Sequence, residues 1–298
     1  MSTILITGTS SGFGRQAALE LARRGHRVFA GMRDPATRAD GAGERLAAEA
    51  AGTGLEVVAL DVTEAASVEA AVAHVRATSG PVDVLVNNAG IAAGGVTEAF
   101  TEADAQRLFD VNVFGQLRLA RAVLPEMRAR GAGLIVNVTS TLSREVIPFL
   151  AIYQATKFAL EGLWEAWRYE LTGQGVEVVL VQPGTFPTTA IVQNLVPPGD
   201  PERATGYADL LPRIDTFFGG LAAYAQSGQA PDPALVGTAI AEIVAVPAGQ
   251  RPVRVVVDPN GPGAASRLNA LAAAEQEAIL SHLGLGDLLV ARQRVTGA

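Results

Sequence analysis

Near the start of the chain stands the sequence Ile4-Leu5-Ile6-Thr7-Gly8-Thr9-Ser10-Ser11-Gly12-Phe13-Gly14. It begins as an apolar run of strand length, and an amphipathic helical pattern follows over residues 13–24. Glycines between a strand and a helix permit a tight turn, and the helix N-terminus offers free N–H groups and partial positive charge. The stretch therefore predicts a phosphate-binding loop. The residues assigned to this loop are Gly8, Ser10, Ser11, Gly12, Phe13 and Gly14.

Apolar runs of strand length continue to alternate with longer, helix-periodic segments along the chain. The predicted strands are residues 4–7, 27–30, 55–60, 82–86, 134–138, 176–181 and 253–257. The predicted helices are residues 13–24, 43–51, 64–78, 102–130, 153–171, 233–246 and 266–282. Runs rich in Val, Ile and Leu that alternate with helices indicate a parallel sheet with helices on both faces. Right-handed crossovers then give an α/β fold, a Rossmann-type doubly wound sheet of about seven strands.

The pattern becomes looser after Pro183. Residues 185–231 carry several prolines between short helical patches, and this length exceeds that of an ordinary connection. The apolar residues of this stretch favour a segment that covers the substrate over a disordered insertion. We expect a single Rossmann-type domain over residues 1–298, with 185–231 as the substrate-covering segment and 259–298 as a C-terminal helical extension.

Composition excludes several functional classes. The 298 residues include no cysteine, which excludes disulfides and thiolate chemistry. The three histidines lie far apart in sequence, so we predict no metal site. A net charge of -7 without a long basic run argues against nucleic-acid binding. No signal peptide or membrane-spanning run is evident, so we expect a cytoplasmic protein with no membrane partner.

Two motifs give the chain its resemblance to a known family. The glycine spacing is Gly-x-x-x-Gly-x-Gly, and Tyr153 and Lys157 lie four residues apart on one face of a predicted helix. The chain resembles the short-chain dehydrogenase/reductase family, in its compact oxidoreductase branch, whose signatures are Thr-Gly-x-x-x-Gly-x-Gly and Tyr-x-x-x-Lys. The resemblance extends over about residues 3–190. It implies hydride transfer between a nicotinamide cofactor and a carbonyl or alcohol, in a homo-oligomer such as a dimer or tetramer.

Tyr153 and Lys157 suit proton transfer to a carbonyl oxygen. The pKa of a free tyrosine is about 10, and a cation about 4 Å away can lower it toward neutrality. We interpret Tyr153 as the general acid/base and Lys157 as the residue that lowers the pKa of Tyr153. Ser140 precedes Tyr153 by thirteen residues, the spacing of the family, and we expect it to hold the substrate oxygen. Three nearby hydroxyl residues are alternatives to Ser140: Thr139, Thr141 and Ser143.

Asn112 completes the predicted catalytic set. It lies inside the predicted helix 102–130, although asparagine is a poor helix former. The resemblance implies that Asn112 interrupts this helix and, through water, steadies the lysine for a proton relay. A tolerated polar residue is the alternative interpretation.

The end of the second predicted strand bears on the choice of cofactor. NAD enzymes usually place an acid there to bind the ribose 2′-OH, and the matching position is Gly31. Arg33 follows, and a guanidinium suits a 2′-phosphate. We therefore expect NADP(H) to be favoured over NAD(H). Asp34 is the opposing consideration, because it could pair with Arg33 or accept a hydrogen bond from the ribose.

Further cofactor contacts are implied by the resemblance. Asp61 and Val62 close the third strand, where the Asp of the family bonds the adenine amino group; a helix cap is the alternative role for Asp61. Asn88, Ala89 and Gly90 belong to an Asn-Asn-Ala-Gly motif that borders the cofactor.

The segment after the sixth predicted strand is the last cofactor motif. It matches the Pro-Gly-x-x-x-Thr sequence with which the family binds the nicotinamide amide. The residues assigned here are Pro183, Gly184, Phe186 and Thr188, with Thr189 as an alternative hydroxyl. We also expect Tyr153 and Lys157 to contact the cofactor.

The motifs together predict an NADP(H)-dependent oxidoreductase that acts on a carbonyl or secondary alcohol. The apolar content of residues 185–231 suggests an apolar, medium-sized substrate. The alternative is a protein that binds NADP(H) as a sensor or partner without turnover.

Overall fold

Seven parallel strands form one sheet in the computed structural model, which describes residues 1–289. The strands are β1 (Thr3–Thr7), β2 (Arg27–Met32), β3 (Leu55–Ala59), β4 (Val84–Asn87), β5 (Gly133–Val138), β6 (Val176–Pro183) and β7 (Arg254–Val257). Their order is β3-β2-β1-β4-β5-β6-β7, and each neighbouring pair is parallel. The strand order reverses between β1 and β4, which forms a crevice at their carboxyl ends. The predicted Rossmann-type α/β fold is confirmed.

Helices cover both faces of this sheet. They are α1 (Gly12–Arg23), α2 (Ala42–Glu49), α3 (Ala65–Ser79), α4 (Glu102–Phe109), α5 (Gly115–Arg130), α6 (Ala151–Leu171), α7 (Ala190–Gln193), α8 (Leu211–Gln226), α9 (Ala234–Ala245) and α10 (Ala264–His282). Successive strand residues point to opposite faces. Ile4 and Ile6 of β1 pack against α1 and α9, whereas Leu5 packs in a second cluster with α3, α5 and α6. The core therefore has two halves separated by the sheet.

The single helix predicted over residues 102–130 is wrong. The structure divides it into α4, a π-helical turn over Asp110–Phe114, and α5. A π turn adds one residue to a helical turn, which re-aims the side chains within it. Apolar periodicity continues through such a turn, so the sequence pattern did not reveal it. The side chain re-aimed here is that of Asn112, which is 1% exposed.

Residues 185–231 contain more regular structure than the sequence pattern suggested. They include α7, a 3₁₀ turn over Arg203–Tyr207, and the sixteen-residue helix α8. The predicted C-terminal extension includes α10 and a 3₁₀ turn over Gly286–Leu289, while residues 290–298 lie outside the described part of the chain. Among residues 1–289, we find no helix long and apolar enough to cross a membrane.

Candidate active site

The glycine loop between β1 and α1 lies directly against the end of β4. Gly8 and Gly12 have φ values of +71° and +56°, a region that favours glycine. A Cβ on Gly8 would lie 2.7 Å from the Cα of Ala89, and one on Gly14 would lie 2.3 Å from Nδ2 of Asn88. Larger residues at Gly8 and Gly14 would push the loop away from the strand.

Thr7 and Asn88 fasten the glycine loop with hydrogen bonds. Oγ1 of Thr7 accepts from the backbone N–H groups of Asn88 (2.9 Å) and Ala89 (3.0 Å). In return, Nδ2 of Asn88 donates to the carbonyl oxygens of Thr7 (2.9 Å) and Gly8 (3.0 Å). The sequence analysis assigned Asn88 but missed Thr7, whose signal was its place immediately before the first glycine of the motif.

Helix α1 begins with free N–H groups beside this loop. Its N-cap residue Ser11 is extended, with φ of −161°, and within residues 1–289 its side chain makes no capping hydrogen bond. The first N–H groups of a helix have no intrahelical partner, so they remain available to an anion. The ring of Phe186 meets that of Phe13 edge to face, with centroids 5.1 Å apart. This contact brings the segment after β6 to the same helix terminus.

A side chain at Gly31, near the end of β2, would be crowded. A Cβ on Gly31 would lie 2.6 Å from Cδ2 of Leu60 and 3.0 Å from the carbonyl oxygen of Ile6. Arg33 is exposed and makes no hydrogen bond or ion pair with another described residue. Its guanidinium is therefore free to bind a ligand group at this end of β2.

The residues after Arg33 form a tight turn. Asp34 has φ of +47°, and its carbonyl oxygen accepts from the N–H groups of Thr37 (3.1 Å) and Arg38 (3.0 Å). The guanidinium of Arg38 bonds to Asp40 at 2.7 Å, which lowers the pKa of that carboxyl to about 2. Arg38 is thus occupied by a protein partner, unlike Arg33.

Asp61 supports a turn rather than a helix N-terminus. Its Oδ1 accepts from the backbone N–H (2.9 Å) and the hydroxyl (2.7 Å) of Thr63. Helix α3 starts later, at Ala65, with Glu64 as its N-cap residue. The helix-cap alternative for Asp61 is therefore not what the structure contains. Val62 beside it is buried against Gly115, at the start of α5.

Asn112 joins the loop after β4 to helix α6. Its Oδ1 accepts from the N–H of Ile91 and its Nδ2 donates to the Ile91 carbonyl, both at 2.9 Å. Nδ2 also donates to Oγ1 of Thr156 at 3.0 Å, and Thr156 donates to the Tyr153 carbonyl at 2.7 Å. A Cβ on Gly90 would lie 3.3 Å from Oδ1 of Asn112. The π turn therefore places Asn112 where it links the loop after β4 to the turn of α6 that carries Tyr153.

Ser140 and Tyr153 are brought together at the carboxyl end of β5. Ser140 is 6% exposed, and its side chain lies close enough to the Tyr153 hydroxyl to affect the pKa of that group. Burial raises the pKa of the Tyr153 hydroxyl to about 12, and the interaction with Ser140 opposes that rise. Two of the three rival hydroxyls are engaged elsewhere: Thr139 donates to Val181 and Ser143 to the Ser140 carbonyl. Ser140 is therefore the hydroxyl that the fold places beside Tyr153.

Lys157 lies beside Tyr153, but burial holds the pKa of Tyr153 above its ordinary value. Its Nζ donates to the carbonyl oxygen of Val138 at 3.1 Å and lies 5.6 Å from the centroid of the Tyr153 ring. Burial lowers the pKa of Lys157 to about 8, and Glu161 opposes this. Desolvation is therefore the largest influence on the pKa of both side chains.

Lys157 is also the only lysine in the sequence, which otherwise uses arginine where a permanently charged basic side chain occurs. Arginine stays charged under almost all conditions, whereas a buried lysine can lose its proton near neutrality.

Of the two threonines considered as cofactor ligands after β6, one is exposed and the other is hydrogen-bonded within the segment. Pro183 ends β6, and the N–H of Gly184 donates to the Val257 carbonyl at 2.9 Å. Thr189 donates its hydroxyl to the Phe186 carbonyl at 2.7 Å, whereas Thr188 is exposed. Of the two candidate hydroxyls, that of Thr188 is therefore the more accessible to a ligand.

An aromatic cluster joins helix α8 to the crevice. Phe149 has φ of +71°, and its ring centroid is 6.0 Å from that of Phe217, which contacts Phe218 at 5.1 Å. A Cβ on Gly94 would lie 2.4 Å from Cζ of Phe218. Gly94 follows the Asn-Asn-Ala-Gly motif and Phe149 precedes Tyr153, so the cluster lies between the two halves of the predicted site.

A groove of about 740 Å³ adjoins this cluster. Phe149 and Leu210 contribute to its apolar lining, together with Val96, Ile147 and Phe158. Neither Ser140, Tyr153 nor Lys157 lines it, so it lies beside the polar cluster and not over it.

The family of the chain follows from these features and from a direct match. Residues 2–198 match the family model described as short chain dehydrogenase, and the chain belongs to this family. Its sequence is 38% identical over 185 residues to 3-ketodihydrosphingosine reductase of Bacteroides thetaiotaomicron, covering 62% of this chain and 64% of that protein. It is 38% identical over 227 residues to human retinol dehydrogenase 8, covering 72% and 71%. Human 17-beta-hydroxysteroid dehydrogenase type 1 is 38% identical over 213 residues, covering 70% and 63%.

Solved structures share the fold over almost the whole chain. A short-chain dehydrogenase from Streptomyces avermitilis has a TM-score of 0.71 with 31% identity, covering 95% of this chain and 97% of that one. A variant of actinorhodin polyketide ketoreductase with NADPH has a TM-score of 0.70 with 29% identity, covering 88% and 96%. A family member from Burkholderia phymatum in complex with NAD has a TM-score of 0.70 with 25% identity, covering 94% and 94%. Proteins of this fold therefore bind either nicotinamide cofactor.

Proposed function

We propose that this protein is an NADP(H)-dependent oxidoreductase that interconverts an apolar, medium-sized carbonyl compound and its secondary alcohol. The observation that carries this proposal is the pairing of Ser140 and Tyr153, with Lys157 beside them. They lie at the carboxyl ends of the strands, where the glycine loop also lies. The reaction needs a proton donor beside the position at which hydride arrives. This arrangement provides one.

The nicotinamide cofactor fits the crevice that the chain builds. The uncapped N-terminus of α1 suits its pyrophosphate, and the tight contact of Gly8 and Gly14 with the end of β4 leaves the loop backbone open to it. When bound, the reduced cofactor supplies a hydride to the carbonyl carbon. Asp61, Val62, Asn88, Ala89 and Gly90 would border it on one side. Pro183, Gly184, Phe186 and Thr188 would border it on the other.

Tyr153 supplies the proton in the direction of reduction. With its pKa raised to about 12, the hydroxyl remains protonated near neutrality and can donate to the carbonyl oxygen that Ser140 holds. Oxidation of the alcohol needs Tyr153 as a base, and the charge of Lys157 then stabilises the Tyr153 phenolate. We therefore expect reduction to be favoured at neutral pH, where Tyr153 is protonated, and oxidation at alkaline pH.

Arg33 carries the preference for NADP(H). Gly31 supplies no acid to bind the ribose 2′-OH, and the guanidinium of Arg33 is exposed without a protein partner among the described residues. A 2′-phosphate would supply that partner through charge-assisted hydrogen bonds.

The apolar substrate class rests on the aromatic cluster of Phe149, Phe217 and Phe218 and on the apolar groove beside it. The names of three relatives point the same way, since they describe reactions of a sphingoid ketone, a retinoid and a steroid. We further propose that the protein acts as a homo-oligomer, and that 185–231 covers the substrate.

A panel of carbonyl compounds tests the proposal. Long-chain, steroidal and retinoid carbonyls should be reduced with NADPH faster than small polar ketones, as measured by loss of absorbance at the NADPH band. Oxidation of the matching alcohols with NADP+ should be detected at alkaline pH. Binding of NADPH without turnover across the whole panel would instead support the sensor alternative.

A further inference from the structure

A buried carboxylate, Glu161, lies one helical turn beyond Lys157 on α6 and is 2% exposed. Its Oε1 accepts from the hydroxyls of Thr139 (3.1 Å) and Ser143 (3.0 Å). These two residues flank Ser140, and Ser143 is also within 2.5 Å of the Ser140 carbonyl oxygen. Each hydroxyl has one proton, which it can donate either to Glu161 or to a nearby backbone carbonyl. Through these two hydroxyls, Glu161 contacts both ends of the short segment that presents Ser140.

The second oxygen of Glu161 faces two arginines. Oε2 accepts from Nε of Arg254 at 3.0 Å and from Nη2 of Arg144 at 3.4 Å. Both arginines also face Glu165, one turn further along α6. A buried charge is costly unless it is paired and hydrogen-bonded, and here both carboxylate oxygens of Glu161 are satisfied.

The network also reaches the C-terminal helix. Nε2 of Gln182 donates to Oε1 of Glu161 at 2.7 Å, while its Oε1 accepts from Asn269 of α10 at 2.5 Å. Asn269 in turn accepts from Nε of Arg144 at 2.9 Å. Strands β6 and β7 and helix α10 thus close a polar ring behind the Ser140 segment.

We propose that Glu161 is a positioning residue for the reaction, holding the Ser140 segment in place and keeping Lys157 in its charged form. The predicted effect on kcat rests on the proposed function. The effect of Glu161 on the charge of Lys157 does not, because it can be measured without substrate. Burial lowers the pKa of Lys157, and Glu161 is the charged group that raises it again. The charged or titratable groups around this pair are Tyr153 and Glu165 on α6, Arg144 after β5, and Arg254 on β7.

The single lysine makes the electrostatic half directly measurable. Protein labelled with 13C at lysine Cε should give one side-chain NMR signal, whose pH titration reports the pKa of Lys157 without any substrate. Glu161→Gln should lower that pKa by about one unit or more. The variant removes the negative charge that stabilises the protonated lysine, while the positive charges of Arg144 and Arg254 remain. It should also lower kcat by about ten- to a hundred-fold, because the Ser140 segment loses its support.

Two further variants separate the two roles of Glu161. Glu161→Asp keeps the anion but shortens its reach, so the pKa of Lys157 should stay near that of the wild type while kcat falls. Glu165→Gln is the matched control: Glu165 lies on the same helix and contacts the same arginines, but contacts neither Thr139 nor Ser143 among the described residues. It should leave both the Lys157 titration and the pH profile of kcat unchanged.

Particular outcomes would overturn the proposal. An unchanged Lys157 titration in a folded Glu161→Gln variant rejects the electrostatic role, even if no substrate is ever turned over. A kcat within about twofold of wild type in Glu161→Asp and in Ser143→Ala rejects the positioning role. If Glu161→Gln does not fold, as judged by circular dichroism, the Glu161→Asp and Ser143→Ala variants still decide that role. The Lys157 titration of an Arg254→Gln variant, expected to move upward, then decides the electrostatic one.

Discussion

Helix α6, which carries Tyr153 and Lys157, and helix α8, which bears the aromatic cluster, are attached to the protein in different ways. Buried side chains, among them Leu160 and the 0%-exposed Trp164, fix α6 to the sheet. Helix α8 has no buried residue and rests on half-buried rings such as Phe217 and Phe218. Proton transfer requires reacting atoms at fixed distances, whereas a cover must admit and release substrate. If the proposed function holds, we expect the rigid helix to carry the chemistry and the loosely attached helix to influence the choice of substrate.

Removal of the Tyr153 hydroxyl is the largest expected effect and tests the rigid side of this comparison. Tyr153→Phe should lower kcat by about 10²- to 10⁴-fold, because a positioned acid/base contributes that much. The Kd of NADPH, followed by fluorescence titration, should change little. Retention of more than about a tenth of the wild-type turnover would show that another group transfers the proton.

Paired leucine truncations test the difference in attachment itself. Leu160→Ala in α6 should reduce the free energy of unfolding by about 2–5 kcal/mol, because it leaves a cavity in a closed core. Leu221→Ala in α8 should cost under about 1 kcal/mol, because that side chain is only half-buried. Urea unfolding measures both. If both variants lose the same free energy of unfolding, α8 is as firmly packed as α6 and the proposed difference between the two helices is wrong.

Substitution of Arg33 tests whether the preference for NADP(H) is set at the end of β2, away from helix α8. Arg33→Ala should weaken NADPH binding by about 10- to 100-fold, the value of a hydrogen-bonded charge contact, and leave NADH binding nearly unchanged. Arg38→Ala is the control, because Arg38 already bonds to Asp40. An equal loss for both cofactors, or a larger loss in the Arg38 variant, would contradict the assignment.

The last expected effect is a pH dependence of stability that comes from the rigid part. The pKa of Lys157 is about 8 in the folded chain, whereas an unfolded lysine titrates at about 10.4. Between about pH 8 and 10 the unfolded chain binds more protons, so the free energy of unfolding should rise with pH. Tyr153 opposes this rise only above about pH 10, because its pKa is raised to about 12. Urea unfolding of the cofactor-free protein should show this slope, and Lys157→Met should flatten it.

Much of the fold could be predicted because its signals are local. Strand-length apolar runs and helical periodicity identified the seven strands and the helices on both faces. Helical periodicity did not reveal the π turn at Asp110–Phe114, whereas the family resemblance implied an interruption at Asn112. The side chain of Asn112 bonds to Ile91, twenty-one residues earlier in the chain, so its role in the turn is not local. Helix α8 was missed because its weak burial leaves no clear apolar stripe.

The sequence by itself determined the family, the parallel sheet and the residue types able to transfer a proton, since motif spacing and apolar periodicity are written along the chain. Only the tertiary structure decided how Tyr153 and Lys157 titrate, because desolvation depends on what surrounds a group. Glu161 could not be found from the sequence either. Its partners Thr139, Gln182 and Arg254 lie at the ends of three different strands, which the fold brings to one carboxylate.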